Sequence, residues 1–129
     1  MQISRSIYSI VQMVDTAAEC GMSARACLAD SGLAPEQLLQ LELQVSPQQE
    51  FTVIANIMRG LPHVPDLGLR MADRFHMPVY GVLTFAMCSC ATAGDAINLG
   101  LSYHELSFTL VEKHQQLAGD DLVFTFEDR

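Results

Sequence analysis

Basic residues are scarce in this chain. Seven Lys and Arg, scattered singly, face fifteen Asp and Glu, for a net charge of −8. A DNA-binding module relies on clustered cations to displace counterions from phosphates, so this chain is not expected to hold DNA by itself. Uncharged apolar runs are also short, below the roughly 18 residues a membrane span needs. The opening "MQISRSIYSIVQM" lacks the continuous apolar run and small-residue cleavage site of a signal peptide. The expected compartment is therefore the cytoplasm, with no membrane partner.

Cysteine is limited to four residues. Cys20 and Cys27 lie seven apart, and Cys88 and Cys90 form C-x-C. Neither spacing matches a zinc site, and His63, His76, His104 and His114 are too dispersed to complete one. No metal or cofactor is expected. A buried thiol acting as a small apolar side chain is the ordinary reading. A thiol sensor at Cys88/Cys90 would instead require an exposed sulfur of low pKa.

Nucleotide-binding, metalloprotease and serine-hydrolase patterns are absent as well. Asp66 and Asp73 could imitate a carboxylate pair, but Arg70 between them and Arg74 beside them predict i, i+4 ion pairs on a solvated face. "SARACLADSGLAPEQL" imitates a helix-turn-helix, yet its second piece carries Glu36 and no cation. Packing explains it better than DNA reading. No enzyme is indicated.

The chain does carry 50% apolar residues over 129 positions, with mean hydropathy +0.22. This suffices for one domain with a real core. Ile7, Ile10, Val11 and Val14 predict an amphipathic helix over residues 4–20, closed by Gly21. Ser23 caps a short helix running to Asp30, Gly32 ends it, and Pro35 opens a helical turn to Leu39. "LELQV" alternates as a short strand over residues 41–45.

At "SPQQ", Ser46, Pro47 and Gln49 make a capping box. The helix it opens is expected to reach Arg59 and to bury Phe51, Ile54, Ile57 and Met58. A further helix starts at Pro65 and Asp66, with Leu67, Met71 and Phe75 along one face. Residues 79–90 form an uncharged apolar run whose length favours a buried helix. Thr92 caps the next helix. From Ser107 the period becomes two: Phe108 and Leu110 share a face, "LAGDD" turns, and Leu122, Phe124 and Phe126 face one way.

This order predicts an α+β domain of several helices packed on a small antiparallel sheet. An aromatic strand three residues from the end of the chain suggests a sheet truncated at its C-terminal side. Apart from Met1, the methionines are spread over different elements, as core fillers are, although some could line an adaptable apolar pocket. The polar groups nearest the apolar run are Tyr80, Ser89, Tyr103 and His104. They are the candidate ligand contacts, against the ordinary alternative of packed or exposed residues.

Several of these motifs resemble a known pattern: Leu33 and Pro35; then Pro65, Leu67, Gly68, Leu69, Arg70, Ala72 and Phe75; then Tyr80, Gly81, Ser89, Thr92, Gly94, Ala96 and Tyr103. Together they resemble the arabinose-binding-type N-terminal domain of AraC/XylS-family transcription regulators, in the ornithine-utilisation-regulator group. The chain departs in the order Tyr80–Gly81 and in Cys90–Ala91, where the family has Ser-Pro.

The resemblance implies that residues 1–129 are one effector-binding and dimerisation domain. It implies a small-molecule effector, a homodimer, and DNA contact only through an absent C-terminal helix-turn-helix domain. The alternative is an oligomerisation module without a ligand, motivated by the open strand edge.

Overall fold

Ser46 accepts a hydrogen bond from the Gln49 amide at 3.3 Å, and Gln49 Oε1 accepts one from the Ser46 amide at 3.0 Å. The capping box predicted at "SPQQ" is therefore formed, and it opens the longest helix of the molecule's first part. The computed structural model describes residues 5–76, 80–104 and 111–128. Among them are six α-helices, one 3-10 helix and two antiparallel two-stranded sheets. The expected α+β class holds. The chain divides into two compact units, residues 1–75 and 76–129.

In the first unit, β1 (Arg5–Ser6) pairs with β2 (Gln44–Val45), Arg5 opposite Val45. Of the predicted strand over residues 41–45, only this end is paired. α1 (Tyr8–Glu19) buries Ile10, Met13, Val14 and Ala17 with Ile7 just ahead of it. Val11 is only partly buried. The stripe thus runs toward Met13 rather than Val11.

Gly21, at φ +90°, ends α1. The Met22 amide donates to Ala17 and the Gly21 amide to Ala18, both at 3.0 Å, the bonding of a Schellman motif. α2 (Ala24–Cys27) starts where predicted, with Ser23 accepting from Ala26 at 3.2 Å, but stops well before Asp30. Asp30 and Gly32 are both left-handed there, at φ 58° and 73°, which ends the helix early. Pro35–Leu39 forms the expected single turn, as a 3-10 helix.

α3 (Pro47–Gly60) buries Glu50, Val53 and Ile57. This corrects the expected face: Phe51 and Met58 are 53% and 65% exposed. Apolar residues cover a wide arc of α3, so periodicity alone leaves its rotation ambiguous. Packing on α1 and α2 selects the 50–53–57 stripe. α4 (Leu67–Ala72) follows Asp66, which is left-handed at φ 56° and makes no side-chain cap. Among the described residues, Arg70 pairs with neither Asp66 nor Asp73; Arg74 instead bonds Glu19 at the end of α1.

In the second unit, Gly81 at φ +55° leads into α5 (Val82–Cys88). The predicted buried helix over residues 79–90 is shorter, and of its described residues only Leu83 is fully buried. Val82 and Phe85 are 79% and 75% exposed. A seven-residue helix shows one face to its neighbour, here Leu83 and Met87 at i, i+4, and leaves the rest outside.

α6 (Ala93–Ser102) is capped by Thr92, which accepts from the Asp95 amide at 3.1 Å. At Gly100 a methyl group would lie 3.0 Å from Met87 Cε, so the absence of a side chain admits α5. β3 (Val111–Ala118) and β4 (Asp121–Asp128) form a hairpin with Ala118 opposite Asp121. Gly119, at φ +67°, takes the first of the two turn positions. The expected face shared by Phe108 and Leu110 lies outside the described residues.

Candidate functional site

The second unit carries an open pocket of about 370 Å3. Its floor comes from the inner face of α5, Leu83 and Met87, with Tyr80 just ahead of that helix. α6 contributes Ile97, Gly100 and Leu101, one turn apart at 97 and 101 with the glycine between them. The hairpin contributes Lys113, Phe124 and Phe126. This volume lies in the range of small-molecule sites, which are mostly apolar with a few placed polar groups.

Register explains how one cation reaches an apolar space. Lys113 pairs opposite Phe126, and Gln115 opposite Phe124. Residues two apart in a strand share a face, so Lys113, Gln115, Phe124 and Phe126 project to the same side. Gln115 Nε2 donates to Asn98 Oδ1 on α6, fixing that face toward the helix. Burial pushes the Lys113 ammonium below the usual lysine range, because desolvation penalises its charged form. Among the described residues no carboxylate pairs with it.

The four candidate ligand contacts have different positions. Tyr80 lines the cavity. Ser89, the C-cap of α5, donates its hydroxyl to Phe85 O at 2.7 Å and is not a lining residue. Tyr103, the C-cap of α6, is 54% exposed and outside the lining. His104 Nδ1 lies 3.0 Å from the Leu101 carbonyl oxygen, also outside it.

Sequence reasoning passed over Lys113. Yet the two-residue turn at Gly119–Asp120, carried back along both strands, already places it opposite Phe126.

Cys88 is exposed, and the half-buried Cys90 thiol lies 3.4 Å from Ala86 O. Burial raises the Cys27 thiol above its usual range, which makes it inert. Among the described residues no three His, Cys, Asp or Glu side chains gather as a metal ligand set. None of the described helices is long and apolar enough to cross a membrane.

The first unit holds a second cavity, about 360 Å3, where Met13, Met58 and Met71 converge with Ile54, Ile57, Leu61, Pro62, Val64, Leu67 and Gly68. Among the described residues no charged side chain lines it. Three methionines taken from separate elements thus meet in one place, the adaptable lining that sequence spread had left open. In the same unit, Glu50 is 2% exposed, accepts a hydrogen bond from Ser9 and lies 3.8 Å from Arg5. Its Oε2 accepts no hydrogen bond among the described residues. Burial, outweighing Ser9 and Arg5, raises its pKa above the ordinary carboxylate value.

Open, mostly apolar pockets of this size with a few placed polar groups are where small molecules bind. The chain belongs to the family described as the arabinose-binding domain of AraC transcription regulators, N-terminal, whose family model matches residues 21–129. Among curated proteins it is similar to an uncharacterized HTH-type transcriptional regulator of Mycobacterium tuberculosis, with 23% identity over 82% of this chain and 31% of the relative. A protein of the same description from Mycobacterium bovis matches to the same extent. The ornithine utilization regulator of Pseudomonas aeruginosa is 29% identical over 73% of this chain and 27% of its own length.

The chain therefore spans about a third of the curated relatives it matches. No solved structure matches it significantly. The family and these relatives are transcription regulators rather than enzymes, and the chain corresponds to a regulatory N-terminal domain.

Proposed function

We propose that the chain is the effector-binding and self-associating N-terminal domain of a bacterial AraC-type transcription regulator, acting on DNA through a separate helix-turn-helix domain. The observation that carries effector binding is the cavity of about 370 Å3 between α5, α6 and the hairpin. Its walls are apolar, and Tyr80 and Lys113 are its convergent polar groups. A ligand there controls the regulator only through different affinity for two states of the domain. The hairpin is the natural element to report occupancy, because Phe124, Phe126 and Lys113 contact the ligand directly. Of the four expected contacts, Tyr80 is the direct one in this reading.

Thermal unfolding of the 129-residue chain against amino acids, sugars and fatty acids tests the assignment. A ligand that binds only the folded state raises stability by about 2.7 kcal/mol at one hundred times its Kd. That gain should disappear in Ile97→Trp, which fills the cavity, and survive the double substitution Tyr103→Ala, His104→Ala. Loss in the double variant with retention in Ile97→Trp would move the site to the ends of α6.

A second reading, self-association without a ligand, is favoured by the hairpin's exposed apolar residues Leu117, Leu122, Val123 and Phe126. Sedimentation of the chain decides it. A dimer that dissociates on Leu117→Lys, with no stabilising ligand in the panel, supports this reading over effector binding.

A further inference from the structure

We infer that the ligand of the α5–α6–hairpin cavity is an amphipathic monocarboxylate, its carboxylate at Lys113 Nζ and its apolar body against Leu83, Met87, Phe124 and Phe126. The inference rests on reading that cavity as the effector site, and it goes further by choosing among ligand classes. Three features make the choice.

First, among the described residues half-buried Lys113 is the one charged lining residue, and no carboxylate pairs with it. A cation facing apolar walls costs free energy unless an anion joins it. A ligand carboxylate supplies that partner with a charge-assisted hydrogen bond.

Second, among the described residues neither Asp nor Glu lines the space. An amino acid would bring an ammonium group that no lining side chain compensates. A dicarboxylate or a phosphate ester would bring a second charge to a site with one cation.

Third, a sugar presents several hydroxyls, each needing a partner once buried. Among the described residues Tyr80 and Lys113 are the only lining side chains with polar groups, so hydroxyls seated against these walls would lose hydrogen bonds to water and regain few. Phe124 and Phe126 from one strand, facing Leu83 and Met87, fit an alkyl chain or an aromatic ring instead.

Isothermal titration of the 129-residue chain with octanoate, octanol and octylammonium tests this, using wild type and the variants Lys113→Gln, Lys113→Arg and Ile97→Trp. Circular dichroism confirms that each variant is folded, and Leu101→Phe replaces Ile97→Trp if the latter is not. The expected result is octanoate binding about tenfold or more tightly than the other two probes. Lys113→Gln should lose that advantage, Lys113→Arg should keep it within about threefold, and the cavity-filling variant should abolish binding.

Octanoate binding no better than octanol, or undiminished in Lys113→Gln, overturns the ligand class. If the cavity-filling variant still blocks binding in that case, the site reading stands. Octanoate binding that is unchanged in the cavity-filling variant overturns the site reading as well. Absence of octanoate binding to the wild type overturns the inference outright.

Discussion

The two compact units of this chain use their apolar residues in opposite ways. In residues 1–75, Ile7, Ile10, Val45, Val53 and Ile57 are each at most 1% exposed and form one continuous cluster with Met13, Val14, Ala17, Cys27, Leu28 and Leu61. In residues 76–129, Leu83 is the one fully buried hydrophobic among the described residues. Val82, Phe85, Leu117 and Phe126 lie largely in the open.

The first unit thus spends its apolar surface on its own stability. The second holds its surface in reserve, around a cavity and along a two-stranded hairpin that is marginal alone. Elements recruited for binding are drawn from the less stable part of a fold. Under the proposed function, residues 76–129 are the responsive half.

Four experiments would break or sharpen this contrast. The largest effect should come from Ile57→Ala, a fully buried side chain in the first unit. It should cost about 4 kcal/mol in urea unfolding followed by far-UV circular dichroism. Phe85→Ala on the open face of α5 should cost no more than about 0.5 kcal/mol. Similar costs for the two would remove the distinction between the units.

Next in size is the buried carboxylate. Glu50→Ala removes the acceptor of Ser9 and the countercharge beside Arg5, and should cost roughly 3 kcal/mol. Its pH signature has a definite sign. The folded pKa lies above the ordinary carboxylate value, so the native state keeps a proton that the unfolded chain has already released. Stability should therefore fall as pH rises from about that unfolded value through the folded one. Unfolding measured across this window should show the decline in wild type and a flatter profile in Glu50→Gln. A wild-type slope of opposite sign relative to the variant would refute the assignment.

Two helix caps make a smaller, matched comparison. Ser46→Ala and Thr92→Ala each remove one accepting oxygen, with a cost of about 1 kcal/mol. Hydrogen exchange should show Ser46→Ala loosening α3 together with the rest of the first unit's core. Thr92→Ala should loosen only α6 and its neighbours. Equal spread of both effects would mean the units do not open separately. The subtlest difference is in the wild type, where amides of α1 and α3 should exchange more slowly than those of β3 and β4.

Much of this organisation was legible before any coordinates. Local signals of a few residues performed best, because their physics is local: the Ser46/Gln49 box, the Thr92 cap, the Gly21 stop and the Pro35 turn all form. Facing was harder. Phe51 and Met58 were expected inside and lie outside, because α3 is apolar over too wide an arc for its period to select one direction. Glu50 was missed because a carboxylate is not an expected core residue, although its spacing to Val53 and Ile57, i, i+3 and i+7, places it on the buried stripe. The run at residues 79–90 reads as a buried helix because apolar composition reports a tendency to be covered without saying what covers it.

The candidate site divides the same way. Tyr80 and the aromatic face of Phe124 and Phe126 could be read from position and alternation. Ser89, Tyr103 and His104 were chosen for nearness in sequence, and proximity along a helix end does not decide which way a side chain leaves it. Lys113 was within reach of the hairpin register but had no motif to draw attention to it.

By itself, the sequence determined where helices begin and stop, the hairpin's turn and register, the acidic balance, and the family. Each of these depends on neighbours within a few residues or on simple sums over the chain. Only the tertiary structure decided which face of α3 is inside, that three methionines line one pocket, and that a lysine and two phenylalanines share the wall of another. Those outcomes depend on packing between elements far apart in sequence, where small rotations of a helix exchange buried for exposed.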